Sequence, residues 1–121
     1  MTMKNKATIE GRLERPIDFR TTPQGKTVAE LRIATEREWK GAIGTSTAID
    51  YHTVVAWEAL AEQCRGFREG DMIYAEGRLQ TRSWDDKDYP IKHYRTEVIA
   101  YTLKPAEGVA VGEETEEAVE A

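Results

Sequence analysis

The stretch MIYAEGRLQTRSW, residues 72–84, decides how the chain is read. Ile73, Ala75, Gly77, Leu79 and Thr81 form one register of an extended strand. Met72 and Tyr74 begin the other, which continues as Glu76, Arg78, Gln80, Arg82 and Trp84. Successive side chains of a β-strand point to opposite faces, so the first set is expected to face a core and the second to face outward. A tryptophan in register with two arginines on the polar side is not where core packing puts it. It places a flat π-surface beside cations, which suits a nucleic-acid base and its phosphate. The competing reading has Trp84 capping a hairpin end, since large aromatics are seldom wholly buried.

Strand period extends in both directions from this segment. Residues 7–13 (ATIEGRL) alternate, and Pro16 breaks the run. TTPQGK at 21–26 carries Pro and Gly turn signals, and 27–35 (TVAELRIAT) alternates again. A polar, glycine-containing loop is expected at 36–48, then a strand at 49–57 (IDYHTVVAW). From Glu58 the period changes: Leu60, Cys64 and Phe67, with Ala61 alongside, make the apolar stripe of a short helix that Gly70 is expected to stop. After 72–84 come a turn-rich loop at 85–90 and a last strand through 92–103. The order β-β-β-α-β-β, mostly β with one short helix, is that of a five-stranded Greek-key OB-fold barrel, a fold that binds single strands or oligosaccharides on one face.

The chain has 121 residues and a formal charge of −5, which would ordinarily argue against a nucleic-acid partner. The charge is unevenly spread. Six glutamates and no Lys or Arg lie in residues 105–121, leaving 17 basic and 16 acidic residues in 1–104, so the body is +1 and the tail −6. Residues 1–104 therefore read as one domain and 105–121 as a short, disordered acidic tail, too poor in apolar side chains to offset the entropy of ordering. The lone Cys64 excludes an internal disulfide framework and a multi-cysteine zinc site. No apolar run approaches the roughly 20 residues of a membrane span, and the N-terminus has no signal-peptide character, so a cytoplasmic, nucleoid-associated protein is expected.

Tyr51 and Trp57 are six residues apart and share a strand face with Val55, which leaves stacking surface and core equally open. Trp39, in the charged setting EREWKG, is either a stacking platform or a subunit contact. Asp85, Asp86 and Asp88 fit a solvated hairpin turn better than a cation loop, and no cofactor or metal is expected. No nucleophile–base spacing, phosphate-cradling glycine loop or opposed carboxylate pair suggests an enzyme.

The runs ATEREW (34–39), YHTVVAWEALAE (51–62), EGDMIYAEGRLQTRSWDD (69–86) and YRTEVIA (94–100), with NKATIEGRL (5–13) and TTPQG (21–25), resemble the bacterial single-stranded DNA-binding proteins over about residues 4–103. The resemblance implies an OB-fold that assembles, usually as a homotetramer, and wraps single-stranded DNA without sequence preference in replication, recombination or repair. It puts the stacking aromatics at Trp39, Tyr51, Trp57 and Trp84, and His52 near a subunit contact. Arg12, Arg32, Lys40, Arg78, Arg82, Lys87 and Lys92 are the candidates to track phosphates. Arg82 and Lys40 lead because each lies within two residues of a stacking Trp. His93 is given no role, and Cys64 is expected to be a small buried hydrophobe.

The pattern departs from the family at the end of the chain. EETEEAVEA keeps the acid but lacks the apolar anchor with which such tips dock replication and repair proteins, so recruitment of those partners is expected to be weak. The alternative function is an OB-fold accessory or RNA-binding protein, or an interaction scaffold whose aromatics are subunit contacts.

Overall fold

The structure, a computed structural model, describes residues 2–106. The acidic segment singled out above therefore lies, apart from Pro105 and Ala106, outside the described residues. Six strands form: β1 (Ala7–Leu13), β2 (Asp18–Thr21), β3 (Thr27–Gly41), β4 (Gly44–Trp57), β5 (Met72–Asp85) and β6 (Lys92–Pro105). A short helix, α1 (Glu58–Gln63), followed by a 3₁₀ turn at Cys64–Gly66, separates β4 from β5.

The sheet runs β1-β5-β6-β4-β3-β2, and a further β1–β3 pairing closes five of the strands into a barrel. All pairings are antiparallel except β4–β6, which matches Val54 to Val98 and Val55 to Ile99 in parallel. This is the OB-fold barrel with its helix between the third and fourth barrel strands. The sixth strand, β2, was not expected. It continues the β1 edge along β3 after the break at Pro16, pairing Asp18–Thr21 with Thr27–Glu30. Four residues are too few to show a period. What folds them back is the turn after them, where Gly25 takes a φ of 84° and its N–H donates to the Thr22 carbonyl at 2.8 Å.

Leu13, Leu31, Ile33, Val54, Ile73 and Cys64 are the largest fully buried side chains. Burying an aliphatic side chain of this size stabilises the fold by about 1.5–3 kcal/mol. Ala61 and Cys64 of the helical segment are fully buried in the same cluster, with Leu60 and Phe67 packed against it. The helix is shorter than its stripe suggests. It tightens to 3₁₀ at Cys64, and Gly70 (φ 96°) serves a later turn whose N–H donates to the Leu13 carbonyl. Two glycines set close strand approaches. A Cβ on Gly11 would strike the Ala34 carbonyl, and one on Gly77 the Ile99 carbonyl.

Two expectations change where strands leave the barrel. Residues 36–48 are not a loop: β3 and β4 stay paired from Val28–Trp57 out to Gly41–Gly44, making a long two-stranded arm with a two-residue turn. Side chains on both faces of its outer part are exposed, so it has no apolar alternation to read, and the backbone ladder alone extends it. In β5, Ile73, Ala75 and Gly77 face inward as expected, but Leu79 is 46% exposed and Thr81 is exposed as well. A register shift at Glu76/Gly77 marks where β5 leaves the barrel wall as part of a second arm with β6.

Candidate nucleic-acid interface

Strand register lays out one outer sheet surface across β3, β4, β6 and β5. Glu30 sits opposite Val55 and Arg32 opposite Thr53. Val55 matches Ile99, and Ile99, Glu97, Arg95 and His93 face Arg78, Gln80, Arg82 and Trp84. Tyr51 and Trp57 share this outer register, because their neighbours Val54 and Ala56 point into the core. Both rings are exposed (48% and 42%), which excludes the core reading for this pair.

Between Trp57 and the β5–β6 arm lies a cleft of about 600 Å³. Val28, Val55 and Glu97 are buried in its floor, while Arg20, Trp57, Arg78 and Arg82 are exposed at its edge. An ionic ladder crosses it. Glu97 Oε2 accepts from Arg82 Nε and Arg95 Nε, both at 3.1 Å, and Glu30 Oε1 accepts from Arg20 at 3.0 Å and Arg95 at 3.5 Å. Glu97 is only 4% exposed, a buried carboxylate tolerated because two guanidinium groups meet it.

Trp84 lies at the far end of the same face. The Arg82 guanidinium is 4.9 Å from its ring centroid, and the His93 ring stacks on it at 5.6 Å and 25°. Trp84 thus packs at a hairpin end and still leaves 41% of its surface exposed. His93, assigned no role from sequence, also hydrogen-bonds Asp86 Oδ1 at 2.7 Å. That bond, helped by N–H groups of Asp88 and Tyr89, holds the Asp86 carboxyl below its ordinary range. The Asp86 carboxylate is engaged in building the turn, while Asp85 pairs with Lys92 at 3.1 Å.

Trp39 is 47% exposed on the β3–β4 arm, and the cation over it is Arg37 at 5.4 Å. Lys40, favoured because it adjoins Trp39 in sequence, falls in the alternate register, opposite Thr45 and on the other side of the strand. Companions across a strand face lie two residues away, not one. Arg32 lies 4.5 Å over Tyr51. Arg12 is exposed opposite Ala34, Arg78 donates to Gln80 Oε1 at 2.7 Å, and Lys87 is exposed in the turn after β5. His52 faces the inner register opposite Ile33, half-buried and hydrogen-bonded to Thr35 Oγ1 at 2.8 Å.

The structure thus gathers Trp57, Arg78, Arg82 and Trp84 on one surface with Tyr51 and Arg32, and leaves Trp39, Lys40 and Lys87 out on the arm tips. Arg20, Arg37, Arg95, Glu30 and Glu97 were not singled out from sequence. The alternation of Arg95 with Glu97 is visible there, but the pairing that brings Arg20 and Arg82 to them is not.

Residues 4–106 match the family model described as the single-strand binding protein family. A protein named single-stranded DNA-binding protein 1 from Chlorobaculum tepidum is 35% identical over 102 residues, covering 83% of this chain. The chain spans 63% of that relative's length. Among solved structures, a Plasmodium falciparum SSB complex with ssDNA superposes with a TM-score of 0.77 at 23% identity, covering 88% of this chain and 98% of the other. A deletion mutant of the single-stranded DNA binding protein from Thermus aquaticus gives 0.75 at 28% identity, covering 88% of this chain and 52% of the other.

Proposed function

The chain belongs to the single-strand binding protein family, and from that premise we propose that it binds and protects single-stranded DNA without sequence preference. One observation carries the reading: exposed Trp57, Tyr51 and Trp84 share an outer sheet surface with Arg32, Arg78 and Arg82. Every base has a π-face, so stacking holds any sequence, at about 1–3 kcal/mol per base in proteins of this kind. Cations on the same surface that enter no ion pair among the described residues, Arg78 foremost, meet the phosphates. Trp39, Lys40, Arg12, Lys87 and Lys92 extend the path along the arms and the β1 edge.

The activity is binding, with no catalytic step. The chain acts as a homo-oligomer, a tetramer on the family resemblance, with His52 close to a subunit contact. It serves replication, recombination or repair in the cytoplasm, at the nucleoid. No helix among the described residues is long and apolar enough to cross a membrane.

Titration with oligo(dT) tests the reading. All three tryptophans are partly exposed, so binding should quench their fluorescence strongly and saturate at a few to tens of nucleotides per chain. Trp57→Ala should weaken binding about tenfold or more, within the stacking magnitude for one base. Absence of both quenching and a gel shift at low salt would overturn the function and leave the interaction-scaffold reading.

A further inference from the structure

Three rings of the proposed interface carry the same arrangement. Arg32 lies 4.5 Å over Tyr51 and 3.3 Å from Glu14. Arg37 lies 5.4 Å over Trp39 and 2.8 Å from Asp50. Arg82 lies 4.9 Å over Trp84 and 3.1 Å from Glu97. In each case a guanidinium that stands over a ring is already held by a carboxylate. A fourth copy, Arg65 over Phe19 at 4.3 Å and paired to Glu62 at 2.7 Å, involves the helical segment away from these rings.

We propose that Glu14, Asp50 and Glu97 are positioning residues that hold these arginines as charge-compensated stacking partners, making the grip on single-stranded DNA tolerant of salt. The inference rests on the single-strand-binding reading of this surface. The physical reason is counterion release. Each phosphate neutralised by a free cation releases condensed counterions and steepens the salt dependence by about 0.7 per contact on single strands. A guanidinium already matched by a carboxylate brings no net charge to a phosphate, which also meets the carboxylate's repulsion. The flat guanidinium still covers one side of its ring and fixes its orientation, so the ring can stack a base with little dependence on salt.

The charge pattern allows a number. Arg12, Arg20, Arg32, Arg37, Lys40, Arg78, Arg82, Lys87, Lys92 and Arg95 are the ten cations along the proposed path. If all met phosphates, the slope of log affinity against log salt would be about −7. Among the described residues, Arg12, Lys40, Arg78 and Lys87 enter no ion pair, while Arg32, Arg37 and Lys92 each have a carboxylate partner. The cleft ladder sets Arg20, Arg82 and Arg95 against Asp18, Glu30 and Glu97, with Asp18 3.8 Å from Arg20, and so retains no net charge. Four net charges give a slope of about −2.8.

The experiment measures oligo(dT) affinity of the full chain by tryptophan quenching between 50 mM and 500 mM salt. The unmodified protein should show a slope of about −2.8. Glu14→Gln and Asp50→Asn should each steepen it by about 0.7, tightening binding at the low-salt end, while Glu62→Gln leaves it unchanged. Glu97→Gln should act in the same direction, but Glu97 is buried, so the partly exposed Glu14 and Asp50 keep the test independent of folding. A wild-type slope near −7, or slopes unchanged in Glu14→Gln and Asp50→Asn, would overturn the inference with the function intact. Affinity lost equally at every salt would also overturn it, because the carboxylates would then serve only the fold. No binding of the unmodified chain at any salt would instead overturn the function itself.

Discussion

At the scale of single residues, physical environment separates side chains that look equivalent in sequence. Cys64 shows it most simply. It is fully buried, its thiol donates to the Leu60 carbonyl, and burial pushes its pKa from 9.0 up to about 11. An acid whose folded pKa is raised contributes stability that is complete below its unfolded value. That contribution is lost as pH rises through the folded one. Stability should therefore fall between about pH 9 and pH 11 by on the order of 1 kcal/mol at pH 10 from this group. Denaturant melts of the wild type and Cys64→Ala at pH 8 and pH 10 check it: the wild type's advantage should shrink at the higher pH. A thiol reagent should label Cys64 slowly in the native protein and quickly in denaturant. His93 is the converse case, an unremarkable residue in sequence that meets Trp84 and Asp86 only because β5 and β6 pair in one register.

At the scale of elements, the two arms and the barrel wall obey different rules. Inside the barrel, alternation follows burial, and Ala7, Ile9, Leu13, Leu31, Ile33, Ile73 and Ala75 are readable because water is excluded from one face. Beyond Thr35 in β3 and Gly77 in β5 both faces are wet, so neither the 36–48 hairpin nor the exposure of Leu79 could be read from hydropathy. The departure point itself is built from Gly77, which lies against the backbone of Ile99 where the β5–β6 register shifts. Gly77→Ala has no flexible side chain to displace and should cost about 1–3 kcal/mol. A lowered urea midpoint at unchanged m-value is the expected signature. Retention of wild-type stability would mean that the two strands separate there at little cost.

At the scale of the whole molecule, the formal charge of −5 combines a +1 body with a −6 C-terminal segment. The body's small excess matches a surface where most cations already have carboxylate partners, and on the proposed function aromatic stacking is expected to carry more of the binding than charge. The acidic segment is expected to compete with DNA for the remaining cations. Truncation after Ala106 should then tighten oligo(dT) binding at low salt and leave it little changed at high salt, where such attraction is screened. Equal affinities at both salt concentrations would show that the segment does not reach the cationic surface.

Local sequence determined the five barrel strands within the wall, that a helical segment follows β4, most of the core, and that Trp57, Tyr51 and Trp84 belong to outward or ambiguous registers. These follow from side-chain period and turn chemistry, both properties of neighbours along the chain. Sequence did not show β2, the 36–48 arm or the exposure of Leu79 and Thr81. The Arg82–Trp84 pair follows from their two-residue spacing on one strand, but tertiary structure decided the remaining partners. It replaced Lys40 with Arg37 beside Trp39, joined Arg20 and Arg95 through Glu30, and buried Glu97 between two arginines. Those partners come from different strands, and one residue of register moves a side chain to the opposite face of the sheet.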